Sequence, residues 1–182
     1  MRIPPVKPDE VCLGAALLVP DPLAAKLRQA RRSFGDADAS PPHITVIPPT
    51  PVPADGVAQV VDRISRRAAG FGPFTVRLRG AATFRPVSPV VYARLEEGFE
   101  RCQALEALLR DAVTGLEDRF PYQPHVTVAN GCADAVLSRA EAALSQLDAA
   151  FRVDTLDVSL LRPDGAWQPV RRLPLASVEV VR

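Results

Sequence analysis

The chain holds two histidines, and both stand in one pentapeptide pattern: Pro42-His43-Ile44-Thr45-Val46 and Pro124-His125-Val126-Thr127-Val128. The copies lie 82 residues apart and use every imidazole the chain has. On a strand, residues i and i+2 point to the same face. His43 and Thr45 therefore share one face while Ile44 and Val46 turn to a core, and His125 and Thr127 stand in the same relation to Val126 and Val128. Each proline precedes its strand, where a missing N–H is tolerated. Two imidazoles and two hydroxyls delivered on rigid elements suit proton transfer at a phosphoryl centre. Imidazole titrates near neutrality, with a reference pKa of about 6.5, so one ring can be a neutral base while its partner is a charged acid. The threonine hydroxyls can donate to non-bridging phosphate oxygens, where negative charge must be held. That chemistry requires no metal and no cofactor. Because the two motifs are almost identical, the choice of base and acid stays open at this point.

Competing chemistries find less support. A single H-x-T is common by chance and a lone buried histidine is usually structural; two copies in matched positions are not explained that way. A zinc site would need four ligands, and neither histidine has a neighbouring cysteine or carboxylate set. No G-x-x-x-x-G-K phosphate loop and no G-x-S-x-G elbow is present. Cys12, Cys102 and Cys132 are odd in number and far apart, against a disulfide framework. The net charge is +1, from 22 basic and 21 acidic residues, which argues against binding nucleic acid by bulk electrostatics alone. The N-terminus carries no signal-peptide pattern, and the apolar run Val11–Val19 is too short to cross a bilayer. A cytoplasmic, monomeric protein is expected.

The elements that must position the motifs can be read from periodicity. Val11–Val19 predicts a buried strand. Asp21-Pro22 opens a helix over 22–34, with Leu23, Leu27, Ala30 and Phe34 on one face. Residues 43–47 form a short strand between proline pairs, followed by a helix over about 56–69. Alternation predicts strands over 74–84 and 90–95. The second half offers a helix over 99–111, a strand over 125–129, a helix over 135–147, a strand over 151–161, a turn at Asp164-Gly165 and a returning strand Trp167–Leu173. A last strand is expected over 177–181.

The halves align at an offset of about eighty residues, each reading β-α-β-α-β. The expected fold is α+β: one domain over 1–182, bilobal, with approximate repeats 11–89 and 90–175 and interleaved lobes. Two mainly antiparallel sheets would flank a central cleft under a pseudo-two-fold, and residues 1–9 would form a loose arm.

With these motifs in place, the chain resembles the 2H phosphoesterase superfamily, and within it the bacterial 2′-5′ RNA ligase-like proteins. The segments PPHITVIPP and YQPHVTVA carry the resemblance, which covers nearly the whole chain. It implies His43 and His125 as the catalytic pair and Thr45 and Thr127 as phosphate-binding hydroxyls. It also implies a metal-free phosphodiesterase acting on a 2′,3′-cyclic phosphate of an RNA end or a small cyclic nucleotide, with a 2′-phosphate as product. A non-catalytic nucleotide or RNA-end binding module and an ATP-independent 2′-5′ RNA ligase are the alternatives.

Other candidates surround the motifs. Tyr122, three residues before His125, is a candidate substrate contact that could stack on a base or line the cleft. Phe84 and Tyr92 could line a groove or join the core. Arg85 or Arg119 could fork onto a phosphate. Trp167 is expected to pack rather than bind.

Overall fold

The computed structural model describes residues 3–36, 40–116 and 120–176. Among them run eight strands and four α-helices: β1 (Glu10–Leu18), α1 (Leu23–Ser33), β2 (His43–Pro53), α2 (Val57–Ala68), β3 (Phe74–Thr83), β4 (Val90–Glu97), α3 (Phe99–Arg110), β5 (His125–Asn130), α4 (Asp134–Ala143), β6 (Asp148–Val153), β7 (Thr155–Leu161) and β8 (Trp167–Pro174). The expected final strand at 177–181 lies outside the described residues.

One antiparallel sheet contains all eight strands, in the order β6-β3-β4-β5-β2-β1-β7-β8. This corrects the expectation of two sheets. The two motif strands, β2 and β5, pair directly at Ile44 and Val126, and that contact joins what would otherwise be two four-stranded halves. The strand expected over 151–161 is likewise two strands. β6 pairs with β3 and β7 with β1, and only Asp154 stands between them. In a flat sheet their six strand spacings would amount to roughly 29 Å, whereas the two steps from Val153 to Thr155 reach about 7 Å at most. The sheet must therefore curl strongly.

β2 runs on through Pro48, Pro49, Pro51 and Pro53, past the stop expected at residue 47. Its partnership with β5 is confined to Ile44, so beyond the motif β2 pairs only with β1 and its other edge needs no N–H. The helices begin and end within a few residues of expectation, apart from α4, which stops at Ala143. Pro22, not Asp21, holds the N-cap position of α1, and the Asp21 carboxylate accepts from the Ala25 N–H in the first turn at 3.0 Å. Gly98 opens α3 in the left-handed region at φ 84°, where a Cβ would come within 2.7 Å of the Thr75 carbonyl oxygen.

The core forms between the helices and one face of the sheet. Leu27 of α1, Ile64 of α2 and Leu105 of α3 meet Ile44, Val46, Val126 and Val128 there. Those four strand residues are fully buried. A one-residue slip of either motif strand would carry its apolar pair out and its histidine in. At about 1.5–3 kcal/mol for each side chain withdrawn from the core, that penalty is decisive. Core packing therefore dictates which face carries His43, Thr45, His125 and Thr127.

Candidate active site

The register at the sheet centre arranges the four motif side chains as a square. Ile44 opposes Val126, so the same antiparallel register sets His43 opposite Thr127 and Thr45 opposite His125. Directly opposed residues share a face, with Cβ atoms about 4.5–5.5 Å apart. Each imidazole thus has a hydroxyl beside it from its own strand and another from the facing strand. On β1, Leu18 opposes His43 and Ala16 opposes Thr45. On β4, Arg94 opposes His125 and Tyr92 opposes Thr127.

Both rings are oriented alike. His43 Nδ1 lies 2.7 Å from the carbonyl oxygen of Pro41, and His125 Nδ1 lies 2.7 Å from that of Gln123. A carbonyl can only accept, so each Nδ1 carries its proton and Nε2 is left as the exchangeable nitrogen. The carbonyls orient these rings as a carboxylate orients the imidazole of a catalytic triad.

The surroundings then separate the two histidines. Phe84 meets the His125 ring edge-on at 4.9 Å between centroids, Tyr92 meets it at 5.2 Å, and the two aromatics stack on each other at 4.3 Å. On the other side of the seam, β1 sets the aliphatic Leu18 and Ala16 beside His43 and Thr45. Burial holds His125 below the ordinary imidazole range; the Gln123 carbonyl opposes this, and the charge of His43 adds to the lowering. The same burial raises the Tyr92 phenol, with the Arg94 charge opposing it. Arg94, which opposes His125 in the register, is exposed and pairs with no carboxylate among the described residues.

The other expected residues are distributed differently. Tyr122 is placed as a strut: its ring packs against the core, burial raises its phenol, and its hydroxyl donates to the Thr45 carbonyl at 2.8 Å. The aromatic rings beside His125 are those of Phe84 and Tyr92. Arg85 is committed to α4, reaching Glu141 at 3.0 Å and Ser138 at 3.2 Å, which withdraws it as a phosphate contact. Arg119 lies outside the described residues. Trp167 packs as expected, its ring 3.1 Å from where a Cβ on Gly14 would stand. No cluster of three or more His, Cys, Asp or Glu with metal-holding geometry occurs among the described residues. No described helix is long and apolar enough to cross a membrane.

Two residues escaped the sequence reading. Arg94 follows Tyr92 by two positions on a strand, so it shares the face of an aromatic already singled out. Arg31 follows Leu27 by one helical turn and is 2% exposed, a cation on the apolar face of α1. Its Nε donates to the Thr127 carbonyl at 3.0 Å and its Nη1 to the Ser40 carbonyl at 2.9 Å.

A family model described as the 2′-5′ RNA ligase superfamily matches residues 19–167. A Bacillus pumilus protein named "Putative phosphoesterase" is 29% identical over 129 residues, covering 70% of this chain and 75% of its own. A Staphylococcus haemolyticus protein of the same description is 25% identical over 138 residues, covering 74% and 81%. Among solved structures, E. coli LigT complexed with 3′-AMP superposes with a TM-score of 0.69 at 17% identity, over 91% of this chain and 98% of that one. TT0787 of Thermus thermophilus gives 0.67 at 20% identity, over 92% and 100%. At these identities the structural likeness establishes the fold.

Proposed function

Since the chain belongs to the 2′-5′ RNA ligase superfamily of 2H phosphoesterases, we propose that it is a metal-independent phosphodiesterase that opens 2′,3′-cyclic phosphates by acid/base catalysis between His125 and His43. The observation that carries this reading is the matched orientation of the two rings. Both Nδ1 atoms are occupied by carbonyls at 2.7 Å, and both imidazoles share one face of adjoining strands. Two Nε2 atoms flanking one phosphorus are what a displacement needs: one takes a proton from the incoming oxygen, the other gives one to the departing oxygen.

The environments support a division of roles. His125, whose pKa burial lowers, is the base. It takes a proton from water as the water oxygen bonds to phosphorus. His43 in its charged form is the acid: the bond from phosphorus to the ribose 3′ oxygen breaks, and that oxygen receives the His43 proton. The product carries a 2′-phosphate and a free 3′ hydroxyl, and the pair returns to its starting state by proton exchange with solvent. The Thr45 and Thr127 hydroxyls donate to the non-bridging oxygens as charge builds on them. Arg94 adds a positive charge on the His125 side. Phe84 and Tyr92 keep that side dry, which strengthens each of these interactions.

The two halves are read as lobes of a pseudo-two-fold about the β2–β5 junction. Outward from that junction stand β1, β7 and β8 on one side and β4, β3 and β6 on the other. E. coli LigT has been crystallised with 3′-AMP, NADP+, ATP and phosphate. These ligands support a nucleotide phosphate as the substrate class.

A panel of 2′,3′-cyclic mononucleotides, an oligonucleotide ending in a cyclic phosphate, and 2′-5′-linked RNA, each assayed in excess chelator, tests the proposal. Turnover of a cyclic phosphate to the 2′-phosphate is expected. Binding of nucleoside monophosphates without turnover of any cyclic phosphate would mark a binding module instead. Loss of activity with chelator would reveal a metal.

A further inference from the structure

The histidine pair straddles the weakest seam of the sheet. β2 and β5 are joined at one paired position, Ile44 with Val126, whereas β1 pairs with β2 at eight positions and β4 with β5 at five. Each motif moreover ends in a bulge at its last residue. Ala15 opposes Ile47 and Ala16 opposes Thr45, so Val46 has no opposite number on β1. Val91 opposes Ala129 and Tyr92 opposes Thr127, so Val128 has none on β4. A bulge disrupts the ladder locally, and here both bulges fall on the peptide that follows the motif threonine. Backbone pairing alone would hold the two motifs loosely against each other.

Side chains fill both gaps, and each crosses the seam. Tyr122, three residues before His125, donates its hydroxyl to the Thr45 carbonyl at 2.8 Å. Arg31 donates to the Thr127 carbonyl at 3.0 Å and to the carbonyl of Ser40, three residues before His43, at 2.9 Å. The approach to each histidine is thereby tied to the threonine carbonyl of the opposite motif. We propose that Arg31 and Tyr122 are positioning residues of the catalytic pair, crossed latches that fix one motif against the other across the β2–β5 seam. Each acts through a threonine, by fixing the peptide plane from which the hydroxyl is aimed. The inference rests on the phosphodiesterase reading for its kinetic consequences but not for its geometric ones.

The kinetic test is a double-mutant cycle. Tyr122→Phe removes one hydroxyl and keeps the ring. Losing one hydrogen bond to a catalytic strand is expected to lower kcat about ten-fold, with KM changed by less than about two-fold. If Tyr122 acts through Thr45, the same change in a Thr45→Ala background should cost under about two-fold more. Arg31→Lys, which keeps the charge but not the two-point fork, should show the same pattern against Thr127→Ala. Should the Arg31 variant not fold, the Tyr122 cycle decides alone. Equal fold-losses in both backgrounds, or a Tyr122→Phe enzyme as fast as the parent, would overturn the proposal.

A second readout does not depend on turnover. With two histidines in the chain, the two imidazole carbon-bound proton signals can be titrated directly by NMR. Loosening the seam admits water to His125, so its titration should move up in Tyr122→Phe. A residue that merely supports the fold would lower the melting temperature and leave that titration in place, which would sink the latch. If the parent protein opens no cyclic phosphate, the phosphodiesterase reading fails, and the imidazole titration still decides the latch by itself.

Discussion

His43 and His125 hold the same posture: in each, Nδ1 meets a carbonyl oxygen two residues upstream at 2.7 Å. The posture is set by the short approach to each strand, so it is local and survives loss of the other ring. His43→Ala and His125→Ala should therefore both fold, since each deletes a part-exposed side chain from the face opposite the core. Each should lose about 10²- to 10⁴-fold in kcat, the range for removing one general acid or base. Circular dichroism alongside single-turnover kinetics checks both halves of the expectation. Near-parental activity in either variant would end the paired mechanism.

The lowered pKa of His125 has consequences for both activity and stability. Burial is the first cause and the His43 charge adds to it. On unfolding, the ring returns to about 6.5. At pH values below that, the unfolded chain binds more protons than the folded one. The contribution of neutral His125 to stability is thus complete above about pH 6.5 and is lost as pH falls through its folded pKa. The acid limb of kcat/KM, which reports the free-enzyme base, should correspondingly lie below pH 6.5. In His43→Ala the remaining imidazole gives a single NMR titration. Removing a like charge should move that titration upward. A downward move, or none, would show that the rings do not share a site.

Much of the candidate site is legible in the sequence, and the reasons are specific. His43, Thr45, His125 and Thr127 stand out because two strands with period two and one duplicated motif leave no other face for them. Phe84 and Tyr92 stay ambiguous for lack of a register: a strand shows which residues share a face, but not which strand lies alongside. Once Arg94 is known to oppose His125, that whole column of β4 joins the site. Tyr122 draws notice by its spacing, but its hydroxyl turns to the Thr45 carbonyl, a long-range partner that spacing cannot reveal. The single sheet is hidden for a similar reason. Pairing of β2 with β5 at one position is a tertiary choice, and the same two segments could have closed two separate sheets.

The aromatic wall makes its own prediction. Phe84 and Tyr92 both contact the His125 ring, from the β4 side of the seam. Phe84→Ala should wet His125 and raise its titration toward 6.5, carrying the acid limb of the rate profile upward with it. The His43 signal should not rise with it. Equal movement of both imidazole signals would mean that Phe84 supports the seam as a whole rather than one ring.

Arg94 supplies the last prediction. It faces His125 across the β4–β5 ladder, is exposed, and has no carboxylate partner among the described residues. Neighbouring strands stand about 4.8 Å apart, well within the reach of an arginine side chain, so its guanidinium can touch a phosphate held between the histidines. A surface arginine outside any ion pair adds little to folding, and Arg94→Gln should leave the melting temperature nearly unchanged. One charge-assisted phosphate contact is worth about ten-fold, and kcat/KM should fall by that amount. Losing one cation from the substrate interface should also flatten the dependence of log kcat/KM on log salt by about one contact's share. Arg94→Lys should restore the salt dependence more fully than the rate, because lysine returns the charge without the fork. Unchanged kcat/KM and an unchanged salt slope in Arg94→Gln would remove Arg94 from the site and leave the threonine hydroxyls as the proposed phosphate donors.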